Sequence, residues 1–154
     1  SKISTLSSFL KIITHTSSGK IYPLYAIIFP FICENGFEIV RTGLIAFAFQ
    51  VPVYLLSKNL IKRERPSLNV GINSIMLPPD KYSFPSGHCA SSTLFTLTLS
   101  QFIPSLTPCF IIWVAVIFFS RVGLGLHYFS DAIFGILLGV ISFIVANQVA
   151  IIFL

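Results

Sequence analysis

Apolar residues run through this chain in long blocks separated by short polar breaks. From Ser1 to Thr16, Ile3, Leu6, Phe9, Leu10, Ile12 and Ile13 recur at helical spacing among Lys2, Lys11, serines and threonines, which predicts a helix lying in a membrane interface. A thin apolar run follows Gly19 and Lys20, from Ile21 to Cys33, with Pro23 and Pro30 inside it. After the turn Glu34-Asn35-Gly36, Phe37 to Ser57 reads as a second helix. A third begins after Pro85-Ser86-Gly87-His88 and lasts to about Ile103, a fourth goes from Pro108 to about Gly125, and a fifth from Asp131 to Leu154. The expectation is an all-α, polytopic membrane helix bundle: five membrane-embedded helices plus the N-terminal interfacial helix, in one domain over residues 1–154. A single long polar loop, Lys58 to Phe84, interrupts it.

Composition agrees with that pattern. The 154 residues are 55% hydrophobic and 10% charged, and a mean hydropathy of +0.88 is too high for a soluble domain. The net charge of +5 would suit an anionic partner. The basic residues are not interleaved with aromatics in a soluble stretch, so a phosphate or acidic headgroup is expected and nucleic acid is not. Cys33, Cys89 and Cys109 are far apart inside apolar runs and read as small buried hydrophobes, without disulfide or zinc spacing.

Alternating the direction of crossing brings three polar clusters to one membrane face. They are Lys58 with Arg65 and Pro66, then Pro85-Ser86-Gly87-His88, then Ser120 and Arg121 with His127 and Asp131. Lys58, Arg65 and Arg121 supply cations, two of them guanidiniums able to hold phosphate oxygens through paired hydrogen bonds. Amides near Ser86, Gly87 and His88 open a helix, whose N-terminal dipole favours an anion. The set describes a phosphate cradle. Asp131, four residues after His127, would accept the Nδ1 proton and leave Nε2 free to attack; His88 would protonate the leaving oxygen and later deprotonate water. Cations around the transferring group would stabilise the transfer without a metal.

Other phosphatase chemistries fit the letters poorly. A cysteine phosphatase wants an arginine six positions after its cysteine, where Ile39, Phe95 and Ala115 stand here, and an aspartyl-phosphate route wants two aspartates two apart, whereas the aspartates are Asp80 and Asp131. Outside the clusters, Lys62, Arg63 and Lys81 read as a basic rim, Glu64 and Asp80 as loop charges, and His15 as a polar residue of the interfacial helix.

In order and spacing the three clusters resemble the signature motifs of the type 2 phosphatidic acid phosphatase superfamily, across about half the chain, Lys58 to Asp131. The resemblance implies that His127 is the nucleophile, oriented by Asp131, that His88 is the acid/base, and that Lys58, Arg65, Ser86, Gly87 and Arg121 bind phosphate, with no metal and no cofactor. The expected function is a lipid phosphate phosphatase acting through a phosphohistidine, with phosphatidylglycerophosphate, phosphatidic acid, undecaprenyl pyrophosphate or a lipid A phosphate as substrate. A lipid phosphotransferase, a vanadate-dependent halide oxidase and a catalytically silent lipid-binding protein are the alternatives. The membrane branch often has six spans, and here the segment Ser1–Thr16 takes the place of the first. Lys/Arg counts favour a cytoplasmic site, since of those residues only Arg41 lies on the far face; the resemblance implies instead a site on the periplasmic face of a bacterial inner membrane, which is the expectation adopted. Oligomeric state is not readable from the letters.

Overall fold

The computed structural model describes residues 2–69 and 80–152. The last residues of the expected fifth helix, and residues 70–79 of the long polar loop, lie outside that range, as do the side chains of Ile3 and Leu6. The chain runs α1 (Lys2–Thr16), α2 (Tyr22–Ile32), α3 (Gly36–Ile61), a single turn α4 (Pro66–Asn69), α5 (Gly87–Phe102), a 3-10 turn (Pro104–Leu106), α6 (Thr107–Gly123) and α7 (Phe129–Ile152).

Among the described residues three helical segments are long and apolar enough to cross a membrane: Gly36–Ile61, Pro104–Gly123 and Phe129–Ile152. At 26 residues and a rise of about 1.5 Å each, α3 exceeds the ~30 Å hydrocarbon core. Helix α2 has 11 residues and α5 has 16, so they are short for full spans. The described residues therefore form an all-helical membrane bundle in which three helices meet the length that crossing requires.

The polar face that the hydropathy pattern hides is internal to the bundle. Helix α5 carries Ser92, Thr93, Thr96 and Thr98, all buried, and is wrapped by α3, α6 and α7. Its seam with α7 is made of small residues. A Cβ on Gly135 would stand 2.5 Å from the carbonyl oxygen of Ser86, and one on Gly139 would stand 2.5 Å from that of Ala90. Only glycine permits this approach, which brings the first turn of α5 against the first turn of α7. The amide of Ser86 donates to the carbonyl of Asp131 at 2.9 Å and ties those two turns together.

Helix α1 is docked on α6. Thr14 Oγ1 and Ser120 Oγ share a buried hydrogen bond of 2.8 Å, Ser120 Oγ donates to the carbonyl of Leu10 at 3.1 Å, and Trp113 Nε1 donates to Thr16 Oγ1 at 2.8 Å. Ser120 thus faces α1, while its neighbour Arg121 faces the interior. Of the cysteines expected to be buried, Cys89 is, Cys33 is half-buried, and Cys109 is exposed on α6. An exposed thiol on a lipid-facing helix is itself an apolar surface.

Candidate active site

The cradle is assembled from four places in the chain. Lys58 is buried in the last turns of α3, which continues to Ile61, past the expected end at Ser57. After α3 the segment of Arg63 to Arg65 runs antiparallel to that of Asp80 to Ser83, joined by a bridge between Glu64 and Tyr82 and by the Ser83 amide donating to the Arg63 carbonyl at 2.8 Å. The Ser83 hydroxyl closes the same pairing on the carbonyl of Glu64 at 3.1 Å. This two-segment clasp holds Arg65 on one side and the Ser83 carbonyl on the other.

His127 sits between them, 3% exposed, in the turn from Leu124 to Tyr128 that links α6 to α7. Its Nδ1 lies 2.7 Å from the carbonyl oxygen of Ser83. A carbonyl only accepts, so Nδ1 carries the proton and Nε2 presents its lone pair. That lone pair points between two guanidiniums: Arg65 Nη1 is 3.3 Å away and Arg121 Nη2 3.4 Å away. Burial, and then the positive charges of Arg121 and Arg65, hold the imidazole well below the ordinary histidine range, against the opposing effect of the Ser83 bond. The ring is neutral at physiological pH.

Asp131 does not orient His127, contrary to expectation. Its carboxylate, with no solvent exposure, accepts from Arg63 Nη1 at 2.8 Å and from the Tyr128 amide at 2.9 Å. The reason is local. Helix α7 begins at Phe129, so His127 precedes it, and the four-residue spacing does not place both side chains on one helical face. Asp131 instead caps α7 and holds Arg63, which also stacks on the Tyr128 ring at 3.9 Å and donates to Ser130 Oγ. Arg63, expected on a solvated rim, is a structural partner.

Arg65 and Arg121 are 1% exposed. Each nitrogen of Arg65 has a partner: Nη1 donates to the Leu126 carbonyl at 2.6 Å, Nε to the Asp80 carbonyl at 2.9 Å, and Nη2 to Asp80 Oδ1 at 2.7 Å. Asp80 Oδ2 takes Lys58 Nζ at 2.6 Å, and Lys58 also donates to the Tyr54 hydroxyl. Burial alone would raise the Asp80 carboxyl, but the hydrogen bonds and charges of Lys58 and Arg65 outweigh it and leave the group below the usual carboxylate range. Asp80, expected as a loop charge, is an anion lying across two of the three cradle cations. Arg121 differs. Among the described residues its buried Nε has no hydrogen-bond partner and its guanidinium forms no salt bridge.

Ser86 is the N-cap of α5, its hydroxyl accepting from the Cys89 amide at 3.4 Å. Its own amide is committed to Asp131, so of the three amides expected to face the anion, those of Gly87 and His88 remain in the first helical turn. His88, half-buried, lies within electrostatic reach of Arg121, Arg65, Lys58 and His127. All eight expected side chains therefore lie at one end of the bundle, with Asp131 serving the scaffold. No group of three or more His, Cys, Asp or Glu residues among those described is placed to hold a metal ion.

Two buried arginines around a neutral histidine, at one end of a membrane helix bundle, make a positively charged centre in an apolar frame. The protein-family model described as the PAP2 superfamily matches residues 39–151. The chain belongs to the PAP2 superfamily. Among curated proteins it resembles the decaprenylphosphoryl-5-phosphoribose phosphatases of Mycobacterium tuberculosis, 32% identical over 90 residues, covering 56% of this chain and 48% of the relative, and of Mycolicibacterium smegmatis, 35% identical over 83 residues, covering 51% and 42%. The chain spans about half the length of these relatives. Among solved structures it is similar in fold to Aquifex aeolicus LpxE, with a TM-score of 0.81, 22% identity, and coverage of 94% of this chain and 86% of that one. It is also similar to the first transmembrane PAP2 type phosphatidylglycerolphosphate phosphatase from Bacillus subtilis, with a TM-score of 0.72, 22% identity, and coverage of 94% and 76%.

Proposed function

We propose that this chain is a metal-independent lipid phosphate phosphatase, cleaving a phosphomonoester or pyrophosphate whose hydrocarbon chain stays in the bilayer. One observation carries the reading: Arg121 is buried, without a carboxylate partner among the described residues, with an orphaned Nε–H, and lies 3.4 Å from the lone-pair nitrogen of His127. A buried, uncompensated guanidinium costs several kcal/mol. A phosphate anion bound there removes that penalty and stands where Nε2 attacks.

In the first step the His127 Nε2 lone pair forms a bond to phosphorus as the bond from phosphorus to the lipid oxygen breaks, and His88 gives that oxygen a proton. Burial, with the charges of Arg121 and Arg65, lowers the His88 ring to about 3, and the negative charge of the bound phosphate offsets those cations and lets it carry the proton. In the second, water attacks the phosphohistidine, His88 takes the water proton, and the phosphorus–nitrogen bond breaks to release inorganic phosphate. Lys58, Arg65 and Arg121, with the first amides of α5, hold the non-bridging oxygens. The Ser83 carbonyl stabilises the imidazolium character that develops as Nε2 becomes bonded.

The test is a panel of phosphatidylglycerophosphate, phosphatidic acid, undecaprenyl pyrophosphate and lipid A phosphate, with released phosphate measured in detergent. Turnover of one of them with a histidine-linked phosphoenzyme is expected; none would reject the reading. Label passing to a second lipid's hydroxyl instead of water would make it a phosphotransferase. The site is proposed to face the periplasm from a bacterial inner membrane. After replacement of the native cysteines, Lys81→Cys should then react with a membrane-impermeant maleimide on spheroplasts; labelling only after lysis would place the site on the cytoplasmic face.

A further inference from the structure

Between α2, α3 and α5 lies a cleft of about 700 Å³ that reaches from Tyr25 and Phe29 to Gly87 and His88. Its wall is overwhelmingly apolar, and it meets the outer surface at Ile27, Leu44, Val51 and Leu55, which are exposed. Three buried polar atoms without a hydrogen-bond partner among the described residues interrupt that wall: Gln50 Oε1, the Tyr22 hydroxyl and, deepest, Thr98 Oγ1. Gln50 is 3% exposed and Tyr22 8%.

The depth of Gln50 follows from the helices. The Tyr54 ring stands 3.1 Å from where a Gly87 Cβ would be, level with the phosphate cradle through its bond to Lys58. Gln50 is four residues before Tyr54, and Ser91 four residues after Gly87, so the Gln50 Nε2 to Ser91 Oγ bond of 3.2 Å lies one turn, about 5.4 Å, further into the cleft. Tyr22 packs on Phe47 and Phe95 at 5.1 and 5.4 Å between ring centres, a turn deeper again. That first turn is the span from a phosphate to the first polar group of a lipid backbone. The Ser91 bond occupies the amide end of Gln50 and leaves its carbonyl end as a desolvated acceptor in search of a donor.

We propose that Gln50 is a specificity-determining residue, accepting a hydrogen bond from a hydroxyl or amide N–H carried a few bonds from phosphorus, with the Tyr22 hydroxyl a second polar contact along the same chain. The cleft then takes donor-bearing lipid phosphates in preference to phosphate esterified directly to a polyprenyl chain, which offers only hydrocarbon at that depth. This rests on the phosphatase reading above and names the substrate class of that site.

The experiment uses the full chain in detergent and two matched substrate pairs: monoacylglycerol 3-phosphate against its 2-deoxy analogue, and N-acylethanolamine phosphate against its N-methylated form. The wild-type protein should favour the donor-bearing member of at least one pair by about tenfold in kcat/KM, the worth of one buried hydrogen bond. The pair that responds identifies hydroxyl or amide. Gln50→Met, close in shape and without polar atoms, should bring the ratio near one. Equal wild-type rates within both pairs overturn the proposal while leaving the phosphatase reading standing, as does a ratio that survives Gln50→Met. If Gln50→Met does not fold, the wild-type ratios alone decide. Absence of turnover on all substrates rejects both.

Discussion

The Nδ1 of His127 donates to the main-chain carbonyl of Ser83 across 2.7 Å, so the reactive tautomer is set by the backbone of a loop 44 residues earlier in the chain. The opposite nitrogen is left facing the guanidiniums of Arg65 and Arg121. His127→Ala should therefore abolish phosphate release. His88→Ala should slow it by about 100-fold or more, the ordinary worth of general acid–base catalysis, and should accumulate acid-labile phosphoenzyme in rapid-quench experiments. Near-normal rates in either variant would remove these roles.

The depressed His127 has a defined sign in pH experiments. Because the folded ring resists protonation, the unfolded chain binds the extra proton as pH falls below its value of about 6.5. This group therefore lowers stability on acidification from there and contributes nothing above it. The nucleophile stays unprotonated through the same window, so an acid limb of kcat/KM centred near 6.5 belongs to another group. His127→Gln should flatten the acid loss of thermal stability in detergent; an unchanged profile would count against a buried neutral ring.

Asp80 lies on Lys58 and Arg65 where substrate oxygens are to bind. With its carboxyl held low, it is ionised at neutral pH, and the stability it contributes is present above the unfolded carboxylate value and lost as pH falls through the lower folded one. In the proposed mechanism an incoming phosphate displaces it. Asp80→Asn should tighten competitive inhibition by vanadate several-fold, whereas weaker inhibition would mean that the carboxylate aligns the cations for substrate. EDTA should leave turnover unchanged, since a divalent ion placed in the cradle would face Lys58, Arg65 and Arg121.

Asp131 and Arg63 should behave as a coupled pair. Asp131 has no exposure and Arg63 is 38% exposed, so loss of the arginine strands a buried carboxylate on the Tyr128 amide alone. Arg63→Ala should cost about 1–3 kcal/mol, below the value for a fully buried pair because water reaches the arginine side. In a double-mutant cycle with Asp131→Asn the two costs should not add. Additivity, measured by thermal unfolding in detergent, would mean the contact contributes little.

Gly135→Ala introduces a methyl 2.5 Å from the Ser86 carbonyl oxygen. Overpacking of that kind costs about 1–3 kcal/mol, and here it also tilts the turn that carries Gly87 and His88. Lower melting temperature together with lower kcat is expected; loss of neither would show that the seam can yield.

Much of the site was legible because charge is scarce in so apolar a chain. Lys58, Arg65, Arg121, His88 and His127 stand out against hydrocarbon, and crossing direction alone put them at one end of the bundle. What the letters hid has physical causes. The Ser83 carbonyl has no side-chain signature at all. Asp80 reaches partners 22 and 15 residues away by way of a loop, and spacing rules describe only neighbours on one element. Asp131 was misread because a four-residue interval has helical meaning only inside a helix, and His127 lies outside one. Ser120 shares a polar cluster with Arg121 in the letters, yet a step of one residue turns a helix by about 100° and aims it at α1. Of the five membrane-embedded helices expected, three are long and apolar enough to cross among the described residues, while α2 and α5, at 11 and 16 residues, are shorter.

The glycine seam between α5 and α7 has a mechanical consequence. With backbone pressed on backbone at Gly135 and Gly139, those two helices cannot slide without collision, so the first turns bearing His88 and Asp131, with the nucleophile just ahead of α7, move as one block.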